Sequence, residues 1–197
     1  MPYYNIVIEK STKSLEKEIK NVSLQTDNLL NIKESYISSP SEKFENCKNI
    51  GDVFELVKET TERALGLRRA GLTLYLIDLP IYIGGLHEIG SNAIVMNKTL
   101  LKAIERIAKS RREANSFIYH ILLHEYLHAL GYFEEKTVRK LVYTISINSF
   151  GEDHDVTKLA EKGYSYIMEQ VSKVPIERDM KVEIVKDFDR SSMSYIG

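Results

Sequence analysis

The segment His124-Glu125-Tyr126-Leu127-His128 has the residue types and the spacing of a metal site on a helix. Residues four positions apart lie on one face of an α-helix, one turn from each other. The imidazoles of His124 and His128 can therefore reach one zinc ion, each at about 2.0–2.1 Å. Glu125 follows the first ligand, where its carboxylate is expected to contact water rather than the metal and to act as general base. The pattern predicts hydrolysis of peptide bonds by a zinc-activated water.

The residues around this segment are strongly apolar over positions 117–130, which predicts a helix that is buried on nearly all sides. Unpaired histidine and glutamate side chains inside such a helix would cost several kcal/mol. A bound metal accounts for their presence. The alternative is a helix with two hydrogen-bonded core histidines and a glutamate at this position by chance.

A third protein ligand must come from another part of the chain. His154 is the leading candidate, because it follows a helix-length spacer and stands where a helix is expected to begin at residue 156. The alternative for this stretch is a helix-capping sequence. Glu134 is the rival ligand, since its spacing from His128 is that of the third ligand in metzincins, which usually have histidine there. Glu152 and Glu161 are the remaining carboxylates. His120 lies in line with the other two histidines and is expected to support the site.

The order of elements predicts an α+β fold, because strands are grouped before helices. The expected strands are residues 3–9, 72–79, 81–85, 91–97 and 180–185, and the expected helices are 52–65, 99–108, 117–130, 134–146 and 156–171. Residues 1–45 are predicted to be an N-terminal appendage and linker. Residues 46–174 are predicted to be the metal-bearing domain, and residues 175–197 a C-terminal tail with a strand.

The segment from His124 to His128 resembles the metal-binding helix of zincin metallopeptidases. Over about residues 50–170 the chain is similar to small archaeal metallopeptidases of the SprT-like and minigluzincin groups. The resemblance implies a small sheet packed on the active-site helix, followed by C-terminal helices. It also implies that residues 90–97 form an edge strand that binds substrate as an added strand. The alternative is an ordinary core strand.

The composition limits the classes of partner. With 27 basic and 28 acidic residues the formal net charge is -1, so no global field attracts nucleic acid or an anionic membrane. The single cysteine, Cys47, excludes an intrachain disulfide and a thiolate-rich zinc site. The N-terminus lacks the pattern of a signal peptide, and no apolar stretch approaches 18 residues, so a cytoplasmic location is expected. The expected partner is a polypeptide substrate.

The function predicted from these residues is that of a zinc endopeptidase. Two other classes remain open. One is a regulatory or binding protein on a zincin scaffold, resembling the zincins that control a repressor. The other is a structural zinc domain, which would have a closed site with four ligands. Either terminal segment is a candidate to cover the cleft and keep the enzyme latent.

Overall fold

The computed structural model describes residues 38–190, without the side chains of residues 164, 165 and 167. Residues 40–190 belong to one compact unit, which contains nearly all of the described residues. The strand predicted for residues 3–9 lies outside them. Within the described range the prediction of an α+β fold is confirmed, with a small four-stranded sheet and seven helices.

The helices are α1 (Pro40–Glu45), α2 (Ile50–Leu65), α3 (Lys98–Ile107), α4 (Arg111–Ala129), α5 (Glu135–Phe150), α6 (Asp155–Lys162) and α7 (Tyr164–Val171). The strands are β1 (Thr73–Ile77), β2 (Gly85–His87), β3 (Ala93–Asn97) and β4 (Glu183–Val185). None of these helices is long and apolar enough to cross a membrane.

The sheet has the strand order β2-β3-β1-β4. β1 and β3 pair in parallel, whereas β2 pairs antiparallel with β3 and β4 pairs antiparallel with β1. The expectation that residues 90–97 form an edge strand is therefore wrong. Residues 85–87 add to the outer side of β3, so β3 is an internal strand and β2 is the edge.

The beginning of the domain differs from its prediction. α2 begins at Ile50 rather than at the expected residue 52, because Asn49 caps it: the Asn49 side-chain oxygen accepts a hydrogen bond from the Asp52 backbone N–H at 3.0 Å. Residues 40–45, assigned to the linker, form α1, whose Phe44 is buried against the rings of Tyr119 and Phe150. This burial extends the core to residues that the sequence pattern leaves in the appendage.

The central helix α4 begins at Arg111, earlier than the expected residue 117, because Ser110 caps it by accepting from the Glu113 N–H at 3.1 Å. The Tyr119 hydroxyl lies 2.6 Å from the Thr60 hydroxyl and joins α4 to α2. The single helix expected for residues 156–171 is two helices, since Gly163 ends α6 with a backbone φ of +72°.

The C-terminal residues close the other side of the sheet. Phe188 stacks on Phe54 of α2, with ring centroids 4.0 Å apart. The side chain of Asp189 is only 3% exposed and binds the buried Lys58 ammonium at 2.5 Å, and it also accepts from the Leu72 N–H. β4 forms the edge opposite β2, and Phe188 brings the end of the described tail into the core on the side of α2 and β1.

Candidate metal centre

The site is formed where α4 ends and α5 begins. Gly131 has a φ of +99°, a left-handed conformation that glycine adopts without the steric cost other residues incur, and the chain turns sharply there. The turn of residues 131–134 returns the chain toward α4, and Glu135 lies in the first turn of α5. A negative charge is favourable at that end of a helix. This turn brings Glu135 close to His124 and His128.

Two imidazole nitrogens and one carboxylate converge at this point. His124 Nε2 lies 3.2 Å from His128 Nε2, Glu135 Oε1 lies 3.3 Å from His128 Nε2, and the other oxygen, Oε2, lies 3.5 Å from His124 Nε2. Two ligands that are each about 2.05 Å from a tetrahedral zinc ion lie about 3.3 Å apart. The distances between the two imidazoles and between His128 and Glu135 are therefore close to those of a zinc site with two imidazoles and one carboxylate.

The ring of His128 is oriented by the turn that follows α4. Its Nδ1 lies 2.8 Å from the Tyr132 carbonyl oxygen, which only accepts, so Nδ1 carries the proton and donates. In the neutral ring Nε2 then presents a lone pair to the ligand group. A backbone carbonyl on the second ring nitrogen is a frequent support of metal-binding histidines.

His124 is also suited to bind a cation. Burial lowers the pKa of its imidazole, and the neighbouring His128 adds to this effect, although the Glu135 carboxylate opposes it. The direction of the shift favours the neutral ring, which is the form that binds metals.

Glu125 is buried beside this group on α4. Burial raises the pKa of its carboxyl to about 8, and the charge of Glu135 contributes to the rise. A cation held by the three ligands would favour the ionised carboxylate and so oppose this shift. A carboxyl group next to a cation site and out of bulk water has the environment of a general base.

The group is open on one side. The Glu135 side chain is 58% exposed, whereas those of His124 and His128 are mostly buried. A zinc ion held by these three residues alone would keep a fourth position for water or substrate.

Arg69 holds the end of α4 in place. Its guanidinium donates to the Ala129 carbonyl at 2.6 Å and to the Ser91 carbonyl at 2.7 Å. The Tyr126 hydroxyl also accepts from the Arg69 N–H at 2.7 Å. These bonds connect the residues next to His128 to the segment before β3.

His154, the expected third ligand, lies outside the group that the described residues form. Its ring is buried, stacks on Phe150 with centroids 4.7 Å apart, and meets Phe44 edge to face. Its Nδ1 accepts from the Val156 N–H at 3.3 Å, so the side chain caps α6. The ligand role of His154 stays a prediction.

The alternative carboxylates are also absent from the group formed by the described residues. Glu134 is exposed and accepts from the Thr137 hydroxyl, while Glu152 and Glu161 are exposed on other parts of the surface. His120 lies one turn before His124, and its buried Nδ1 has no hydrogen-bond partner within the described range.

Glu135 is the residue that the sequence analysis does not identify. Its only signal is a carboxylate soon after a helix-ending glycine, at the start of the next helix. The neighbouring Glu134 matches the metzincin spacing, so the sequence pattern favours Glu134 over Glu135.

Comparison with protein-family models, with curated proteins and with solved structures found no match.

Proposed function

We propose that the protein is a zinc-dependent metallopeptidase of the zincin type that acts as an endopeptidase on polypeptides. The observation that carries the proposal is the convergence of His124, His128 and the Glu135 carboxylate, with ligand atoms within 4.8 Å of one another, beside the buried Glu125. The arrangement of a metal-binding helix beside a small sheet, with an edge strand close to Glu125, also supports the zincin assignment.

His124 Nε2, His128 Nε2 and one Glu135 oxygen would hold the zinc ion. Zinc supplies a Lewis acid, which polarises the substrate carbonyl and makes water more acidic. Glu125 takes the proton from the attacking water and then returns it to the leaving amine. Tyr132 keeps the His128 ring in the orientation that this geometry requires.

The open side of the group favours an enzyme over a structural zinc domain, which would close the site with a fourth protein ligand. The buried Glu125 favours an enzyme over a pure binding protein. A carboxyl group that is buried without a function reduces stability, and a scaffold that only binds a partner has no need of it.

The test uses the full chain loaded with zinc and an unfolded protein such as reduced casein as substrate. New amino termini are measured by mass spectrometry. The expected result is cleavage by the wild type, loss after a zinc chelator, recovery on adding zinc, and loss in Glu125→Gln with its zinc retained. His128→Ala is expected to lose both zinc and activity.

Two results would refute the proposal. Equal cleavage by the wild type and Glu125→Gln would assign the activity to a contaminant. One zinc per chain without cleavage of any unfolded substrate would favour a binding protein on this scaffold, or a structural zinc domain if the chain also unfolds under chelation.

A further inference from the structure

The backbone of β2 lies directly against the side chain of Glu125. A β-carbon built on Gly85 would lie 2.8 Å from Glu125 Cγ and 3.1 Å from Glu125 Cδ. Optimal separations between carbon atoms are about 3.5–4.0 Å. A side chain at position 85 and the present side chain of Glu125 therefore cannot occupy their places together.

On its other side the same β-carbon would meet the backbone of β3. The Val95 carbonyl oxygen would lie 3.0 Å from it, and a backbone atom inside a sheet does not move easily. A methyl group at position 85 is thus confined between the sheet and Glu125. Relief comes most readily from the Glu125 side chain, which has three rotatable bonds.

The position of β2 is itself fixed by the buried Asn97. The Asn97 backbone N–H donates to the Gly84 carbonyl at 3.0 Å. Its side-chain amide donates to the carbonyls of Pro80 and Ile83 at 2.9 and 2.8 Å. These three bonds hold the segment that leads into Gly85, so β2 cannot easily retreat from α4.

Glu125 cannot retreat either, because it lies within α4, about one turn before the end of that helix. The next residue, Tyr126, is fully buried and is hydrogen-bonded to the backbone of Arg69. The distance between the α4 and β2 backbones at this point is therefore set from both sides, and the absence of a side chain at Gly85 leaves the room that Glu125 fills.

We propose that Gly85 is a positioning residue for Glu125, since its bare Cα forms the surface that holds the carboxylate in place beside the metal ligands. The catalytic consequence rests on the proposed peptidase function, whereas the contact itself does not. The three atoms nearest to such a β-carbon belong to Glu125 and Val95, and none of them belongs to a metal ligand.

The first test is the kinetics of Gly85→Ala in the zinc-loaded chain. Displacing a catalytic group by about 1 Å costs on the order of 10²-fold in rate. We expect kcat to fall by about that factor, with KM within about twofold and zinc content unchanged. A Gly85→Ala enzyme with wild-type kcat would overturn the proposal.

The second test needs no activity and compares melting temperatures in two backgrounds. Gly85→Ala should lower the melting temperature of the wild type, and this loss should shrink or vanish in Glu125→Ala, where the space is free. Leu86→Ala, at the neighbouring half-exposed position, should cause the same shift in both backgrounds. Equal losses for Gly85→Ala in both backgrounds would overturn the proposal.

The two tests separate this inference from the proposed function. If the wild type cleaves no substrate, the peptidase proposal fails, while the melting cycle still decides whether Gly85 confines Glu125. If Gly85→Ala alone does not fold, folding of the double variant Gly85→Ala, Glu125→Ala supports the contact. Failure of the double variant to fold would count against it.

Discussion

The replacement of Glu135 by glutamine tests the ligand set that the structure suggests. Glutamine keeps the shape of the side chain but replaces a charged oxygen donor by a neutral amide, which is a poor ligand for zinc. The Glu135 carboxylate lies 3.3 and 3.5 Å from the two imidazole nitrogens, so it is positioned to supply one of three protein bonds to the ion.

The expected size of the effect follows from the energy of a typical site. Zinc binding by four protein ligands is worth about 10–16 kcal/mol, or about 2.5–4 kcal/mol for each ligand. Glu135→Gln should therefore raise the Kd for zinc by roughly 10² to 10³-fold. The fold should persist, because removing this charge also relieves its repulsion with Glu125.

The assay is a competition titration against a chromophoric chelator at fixed pH. Glu134→Gln is the matched control, since it makes the same chemical change one residue away, on a side chain that binds Thr137. His154→Ala tests the ligand expected from the sequence. A Kd within about twofold of the wild type for Glu135→Gln, together with a large rise for His154→Ala, would refute the assignment of Glu135.

Three further predictions concern stability. The contribution of Glu125 to the free energy of unfolding of the metal-free chain should fall as the pH rises from 4.5 to 8, because the pKa of Glu125 is raised from 4.5 to about 8 and the folded state favours its protonated form; the loss is at most about 5 kcal/mol, and it should appear as the difference in pH dependence between the wild type and Glu125→Gln in urea denaturation. Asp189→Ala should cost about 1.5–3 kcal/mol in the same assay, because the buried Lys58 loses one of its two carboxylate partners and keeps Glu55, and a cost below about 0.5 kcal/mol would contradict this. Tyr119→Phe should cost only about 1 kcal/mol, since the Thr60 hydroxyl also bonds to carbonyls of its own helix, and a cost above about 3 kcal/mol would indicate a larger role.

The parts of the site that lie within one helix were open to prediction from the sequence. The geometry of an α-helix alone places His124 and His128 on one face with Glu125 beside them, whatever surrounds the helix. The apolar residues around them likewise indicate burial, and the grouping of strands before helices indicates the α+β class.

The third ligand and the strand order could not be predicted, because they depend on how segments that are separate in the sequence contact each other in the fold. Glu135 approaches the two histidines only because Gly131 turns the chain with a φ of +99°, and the direction of such a turn is not encoded in residue spacing. The edge position of β2 depends on strand pairing, and a segment of three residues such as Gly85–His87 has too short a pattern to reveal it.

The bond between Lys58 and Asp189 joins residues 131 positions apart and so links the early part of the domain to its end. Closing a loop of this length must precede the contact, and the entropy cost of closure slows folding. During synthesis β1 lacks its partner β4, and Lys58 lacks the Asp189 carboxylate, until residues 183–190 have left the ribosome. The domain is therefore expected to reach its final state late in translation, and a nascent chain stalled before this segment should be an easy target for proteases.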